Sequence, residues 1–194
     1  RKKSAILQRV IQKMAYELVK EEMSVHDIWK FTDFGLLGRF ELSENSLIKN
    51  YYQNLMSGNL PKTAIEIKSE QFVQMDEKRR DKSLNIIGLP EEVLETMLSR
   101  KKFGSLKSLE EMEAGIADLI GVPKDQIMIV PPLSHHRFIP EDVKVYGRDG
   151  SIVGLSDFYP NHFAAMQEYG RSHHLLRVCA FPEYRDQLRD NAAK

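Results

Sequence analysis

The chain has 194 residues, of which 42% are hydrophobic and 29% are charged. This length and mixture suit one domain of ordinary size or two small ones, and they exclude a disordered chain, a collagen and a coiled-coil rod. The formal net charge is zero, which argues against a dedicated DNA-binding domain because such domains usually carry a basic excess. No apolar run approaches the roughly 20 residues that cross a bilayer, so we expect no membrane association. The single cysteine, Cys179, fits a reducing, cytoplasmic setting.

The first third of the chain predicts helices. Apolar residues recur every three or four positions over residues 4 to 23, which predicts a long amphipathic helix. Ser24, followed by Asp27, predicts the start of a short helix over residues 25 to 31. We expect the next two glycines, Gly35 and Gly38, to break that helix.

A third helix is predicted over residues 44 to 57. Ser43 is its expected N-cap, and Gly58 stands where a C-terminal glycine belongs. Later in the chain Pro90 is expected to open another helix. Ser105 or Ser108 is expected to cap a further helix, which stops at Gly121 and is followed near the C-terminus by helices over 161 to 169 and after Pro182.

The strand signals come later in the chain. Runs of β-branched and apolar residues predict strands over 62 to 68, 126 to 130, 143 to 146, 151 to 155 and 175 to 181. Asp149-Gly150 lies between two of these runs and predicts a hairpin. Residues 69 to 83 are mostly polar and predict a solvated helix face or a connection.

This order predicts an α+β fold, because strands and helices do not alternate regularly. We expect a helical N-terminal half followed by a small mixed or antiparallel sheet with flanking helices on one face. The predicted division is a helical segment over residues 1 to 60, continuing from an upstream core, and an α+β C-terminal lobe over residues 61 to 194. The chain begins at Arg1 and is helical in pattern almost at once, so we expect it to be part of a longer protein.

Several residues are candidate sites of chemistry. His26-Asp27 has the form of a metal-binding pair, but no upstream helix supplies a further histidine, so we interpret it as a helix start. The pairs His135-His136 and His173-His174 are interpreted as surface or loop residues, and Cys179 as a buried thiol in an apolar strand. We therefore predict no catalytic residue and no metal ligand in this chain.

Three basic clusters could meet phosphate. They are Arg1-Lys2-Lys3, Lys78-Arg79-Arg80 and Arg100-Lys101-Lys102. Our interpretation is that they are solvated faces. The alternative is a nucleic-acid or protein interaction module that binds phosphate through these clusters.

The order of segments resembles the region after the catalytic core in HD-domain dNTP triphosphohydrolases, the group that includes the vertebrate SAM-and-HD enzyme. Ser24-Val25-His26-Asp27-Ile28-Trp29 resembles the turn that begins a short helix in that family. The later matches are to strands and a hairpin of the family, and they are Gln126-Ile127-Met128-Ile129-Val130-Pro131-Pro132, Pro140-Glu141-Asp142-Val143-Lys144-Val145, Arg148-Asp149-Gly150-Ser151-Ile152-Val153-Gly154-Leu155-Ser156-Asp157, and Leu176-Arg177-Val178 followed by Pro182-Glu183.

The resemblance implies a hydrolase whose catalytic residues and divalent metal lie in an upstream core that this chain lacks. It implies a non-catalytic C-terminal lobe that supports oligomerisation and contributes to a nucleotide effector site, so the isolated chain is expected to be inactive. In the family an Arg-x-Leu-x-Lys-like stretch supplies basic residues to that site. Lys62 matches its lysine, whereas Gly58 stands at its arginine and Phe181 at a later family lysine.

We also expect the chain to form dimers or larger oligomers. The first predicted helix is long and amphipathic, and we expect part of its apolar stripe to lack cover within this chain. The partners expected from the sequence are therefore the upstream core, further copies of the chain and a nucleotide effector.

Overall fold

The computed structural model of the chain describes residues 2–21, 23–73, 84–98, 103, 105–132, 142–172 and 175–191. The fold is α+β, as the sequence predicts: helices come first, and a four-stranded sheet and a two-stranded sheet with flanking helices follow. None of the helices in this part of the chain combines the length and the apolar character needed to cross a bilayer.

Four helices make up the N-terminal part of the fold. They are α1 (Lys2–Glu21), α2 (Val25–Ile28), α3 (Asp33–Leu42) and α4 (Ser46–Ser57). Most of the apolar stripe of α1 is covered within the chain, because Ile6, Val10, Met14 and Leu18 are all buried in one core cluster. The expectation that part of the stripe lacks cover applies to its margin, where Leu7, Ile11 and Val19 are only partly buried.

Gly35 and Gly38, which were expected to end helical structure after residue 31, lie inside the helix α3. Its N-cap is Thr32, whose Oγ1 accepts a hydrogen bond from the Gly35 amide at 3.2 Å. A Cβ on Gly35 would stand 3.3 Å from the Phe31 ring, so the glycine makes room for that side chain. A glycine inside a helix costs about 1 kcal/mol relative to alanine. The complete burial of Phe40 against α4 and the sheet offsets that cost.

Helix α4 begins two residues later than predicted. Asn45 is its N-cap, and the side-chain oxygen of Asn45 accepts hydrogen bonds from the amides of Leu47 at 2.9 Å and Ile48 at 3.1 Å. Ser43 is buried instead, with its Oγ accepting from the Asn45 amide. Gly58 ends α4 with φ of 75°, in the left-handed region that favours glycine, as predicted.

The central sheet has the strand order β2-β1-β6-β3. Its strands are β1 (Lys62–Ser69), β2 (Asn85–Leu89), β3 (Ile127–Val130) and β6 (Leu176–Ala180). β1 pairs with β2 in parallel and with β6 antiparallel, and β6 pairs antiparallel with β3. The sheet is therefore mixed.

Strand β2 was missed by sequence reasoning. It lies at the edge of the sheet and is interrupted by Gly88, which weakens its strand pattern. A Cβ on Gly88 would come within 2.9 Å of Val73 and 3.2 Å of the Glu70 backbone. The glycine is thus needed where the short turn after β1, the 3₁₀ helix Glu70–Phe72, passes close to β2.

Helices cover both faces of the sheet, which corrects the prediction of one covered face. Face 1 packs on the helices α5 (Glu91–Met97), α6 (Leu106–Ile120) and α9 (Arg185–Asn191), and face 2 packs on α1, α3 and α4. Adjacent residues of β3 alternate accordingly: Ile127 and Ile129 lie in the first core cluster, and Met128 and Val130 in the second. Burial on both sides explains why this strand is apolar at every position.

The second sheet is the predicted hairpin. It consists of β4 (Lys144–Tyr146) and β5 (Ile152–Gly154), and α7 (Leu155–Phe158) and α8 (Pro160–Ser172) follow it. In the turn, Asp149 accepts hydrogen bonds from the amide and hydroxyl of Ser151, and Gly150 adopts φ of 80°.

A buried ionic cluster joins α1, α6 and β3. One carboxylate oxygen of Glu113 accepts from the Ile129 amide at 2.8 Å and from Arg9 at 3.1 Å, and the other accepts from Lys13 at 2.6 Å. The Nε of Arg9 donates to the Ile129 carbonyl at 3.2 Å. β3 is an edge strand, so these two side chains supply the acceptor and donor that a further strand would supply.

We expect Glu113→Ala to lower the free energy of unfolding by about 3 to 5 kcal/mol, the usual cost of breaking a buried ion pair by removing one partner. The variant leaves two buried cations and the Ile129 amide without their shared acceptor. Urea unfolding followed by circular dichroism measures this loss.

The matched control for that measurement is Glu111→Ala, because Glu111 is exposed on the same helix. It should change the unfolding free energy by no more than about 0.5 kcal/mol. Equal losses in the two variants would contradict a special role for Glu113.

Candidate functional site

Lys62, the residue that the resemblance assigns to an effector site, is exposed at the first position of β1. It pairs in register with Ala180, the last residue of β6. Ala180 belongs to the core cluster of face 1, on which α9 packs. The lysine therefore lies at the corner of the sheet next to the beginning of α9.

A second basic residue is held at this corner. The Nε of Arg185, the first residue of α9, donates to the carbonyl of Thr63 at 2.9 Å. This bond fixes the start of α9 against the start of β1. Gly58, at the position where the resemblance expects an arginine, offers no side chain here, and the corner carries the cations Lys62 and Arg185.

His26 and Asp27 form a helix start, as we interpreted them. The Asp27 carboxylate accepts from the amide and hydroxyl of Ser24 and from the Lys30 ammonium at 2.7 Å. The Lys30 and Ser24 hydrogen bonds hold the pKa of the exposed Asp27 carboxyl at about 2. Its oxygens thus have three donors within the chain.

Within the described ranges, no group of three or more histidine, cysteine, aspartate or glutamate side chains is placed to hold a metal ion. The pairs His135-His136 and His173-His174 lie outside the described residues. So do two basic clusters, Lys78-Arg79-Arg80 and Arg100-Lys101-Lys102, and of the first cluster only the Lys3 side chain is described, as exposed.

Cys179 is fully buried on face 2 of the sheet. Its Sγ lies 3.7 Å from Oγ1 of Thr63, its partner in the strand register. Burial raises the pKa of the Cys179 thiol to about 12, so the thiolate does not form near neutral pH in the folded chain. A nucleophilic role is excluded by this environment.

Face 2 also carries charge. Glu66 and Arg177 are buried register partners on β1 and β6, with 3.5 Å between Oε1 of Glu66 and Nε of Arg177, and Lys68 is buried two residues along β1. Arg177 and Lys68 are two cations and Glu66 is one anion, which is the same combination of charges as in the Glu113 cluster. Buried charges in such numbers need neighbours of opposite sign or full hydrogen bonding.

An open groove of about 480 Å³ lies between α1 and α6. Its lining residues are Tyr16, Lys20, Lys107, Glu110, Glu111 and Ala114. Lys20 donates to Glu17 and Glu110 and lies over the Tyr16 ring. The two lysines and two glutamates of the lining balance, so this groove has no excess charge with which to attract a phosphate.

The largest apolar side chains on the outside of the N-terminal half lie on α2, on α3 and between them. Trp29 is 83% exposed, Phe34 is 87% exposed and Leu42 is 74% exposed. We call Phe34, Gly38 and Leu42 the α3 outer face. They recur every four residues, so they lie on one side of the helix, opposite the buried Phe40.

Sequence reasoning missed this surface because it ended helical structure at Gly35 and Gly38. The sequence nevertheless carries a signal for α3. Thr32-Asp33 is typical of a helix start, and apolar residues follow on both the buried and the exposed side of the helix. A helix that is apolar on two sides is buried on both or meets a partner.

No protein-family model matches this chain, and neither a curated protein nor a solved structure matches it. The resemblance to HD-domain dNTP triphosphohydrolases therefore depends on the motifs of the chain itself.

We expect Cys179 to resist thiol reagents in the folded chain at pH 8, because its pKa of about 12 is well above the value of about 8.5 for a free cysteine. Labelling with a chromogenic disulfide should become fast only in denaturing urea. The control is Ser46→Cys, at the exposed first residue of α4, which should be labelled at once. Equal labelling rates at both positions would contradict this account.

Proposed function

We propose that this chain is the non-catalytic C-terminal lobe of a metal-dependent HD phosphohydrolase, one that hydrolyses a dNTP or a related phosphoester. On this proposal the lobe supports oligomerisation and offers Lys62 to a nucleotide effector. The chemistry belongs to an upstream core with its own divalent metal.

The observation that carries the proposal is the exposed aromatic and aliphatic surface of α2 and α3. Trp29, Phe34 and Leu42 are each more than 70% exposed, whereas Phe40 on the inner side of α3 is buried. Clustered exposed apolar residues usually mark a surface that meets another protein. A lobe whose role is to hold subunits together needs such a surface.

The order of the elements also supports the proposal. A long helix, a short capped helix, further helices and a strand beginning at Lys62 are followed by a strand closed by Pro131-Pro132 and an Asp-Gly hairpin. The same order of segments carries the resemblance to the HD-domain family.

The described residues do not fit the family's metal. Asp27 already accepts three hydrogen bonds, and His26 is exposed beside it. We therefore assign no step to a metal in this chain and place the metal in the upstream core.

The effector role of Lys62 is supported by its exposure and by the nearby guanidinium of Arg185. A lysine is a flexible point charge that suits a phosphate. Arg185 donates to the Thr63 carbonyl through Nε at 2.9 Å, which holds its positive charge beside the start of β1. The effector on this proposal is a nucleoside triphosphate.

The proposal is tested first on the gene and on the intact protein. The reading frame upstream of Arg1 should encode a His…His-Asp…Asp set, and the intact protein should release phosphate or triphosphate from a nucleotide with Mn²⁺. The 194-residue chain alone should give no release above buffer. An upstream frame without that set, or turnover by the isolated chain that His26→Ala abolishes, would overturn the proposal.

We expect Lys62→Ala in the intact protein to weaken activation by a nucleoside triphosphate by about 1.5 to 3 kcal/mol, the worth of a hydrogen bond to a charged group. Folding should be unchanged because Lys62 is exposed. The readout is the nucleotide concentration that gives half-maximal activity.

The control variant is Lys144→Ala, since Lys144 is also an exposed lysine at the first position of a strand. It should leave activation unchanged. If Lys62→Ala and Lys144→Ala behave alike, the effector role of Lys62 is wrong.

A further inference from the structure

We draw no further inference here: the strongest candidate, the open groove between α1 and α6, carries nothing because its lining charges balance, Lys20 already binds Glu17 and Glu110, and nothing in the structure shows what would fill the groove.

Discussion

The fold depends on how the free edge of β3 is satisfied. Ile129 has an amide and a carbonyl on that edge, and both are bound by charged side chains, Glu113 from α6 and Arg9 from α1. The two side chains also bind each other, so a helix from each side of the sheet is tied to the same backbone unit. An unpaired edge strand would expose groups that pair readily with other chains, and this arrangement closes the edge without a further strand.

The same constraint explains why the cluster carries two cations for one anion. Lys13 lies one turn along α1 from Arg9, binds the second carboxylate oxygen of Glu113, and has its Nζ 5.5 Å from the Tyr51 ring centroid. Tyr51 in turn donates to the carbonyl of Asp125, at the entry to β3. The second cation is therefore stabilised by an aromatic face rather than by another carboxylate. The ionic cluster thus fixes the positions of α1, α4, α6 and β3 relative to one another. Its hydrogen bonds are directional, whereas apolar packing alone would fix these positions less specifically.

Much of this fold could be predicted from local signals, because the helices with a clean stripe and cap were found. Helix α6, capped by Ser105 and ended by Gly121, is one, and the hairpin at Asp149-Gly150 is another. The errors came where a neighbouring group requires a glycine inside a helix or strand. In α3 the Phe31 ring, four residues earlier, leaves little room for a side chain at Gly35, and in β2 the turn after β1 leaves none at Gly88. Whether helices cover one face of the sheet or both also depends on long-range packing. The sequence of an apolar strand such as β3 is compatible with several folds, so it does not decide between them.

The glycines of this chain separate the two kinds of information. At Gly35 and Gly88 the missing side chain is explained by atoms of the same chain within about 3.4 Å, a separation at which a Cβ would need its neighbour to move. At Gly38 in α3 and Gly115 in α6 no described atom lies within 4 Å of the position that a Cβ would take, and an alanine at either would favour the helix by about 1 kcal/mol. The ionic cluster and the close approaches at Gly35 and Gly88 thus account for the inside of the fold, whereas Gly38 and Gly115 lie at helix positions with room for a side chain.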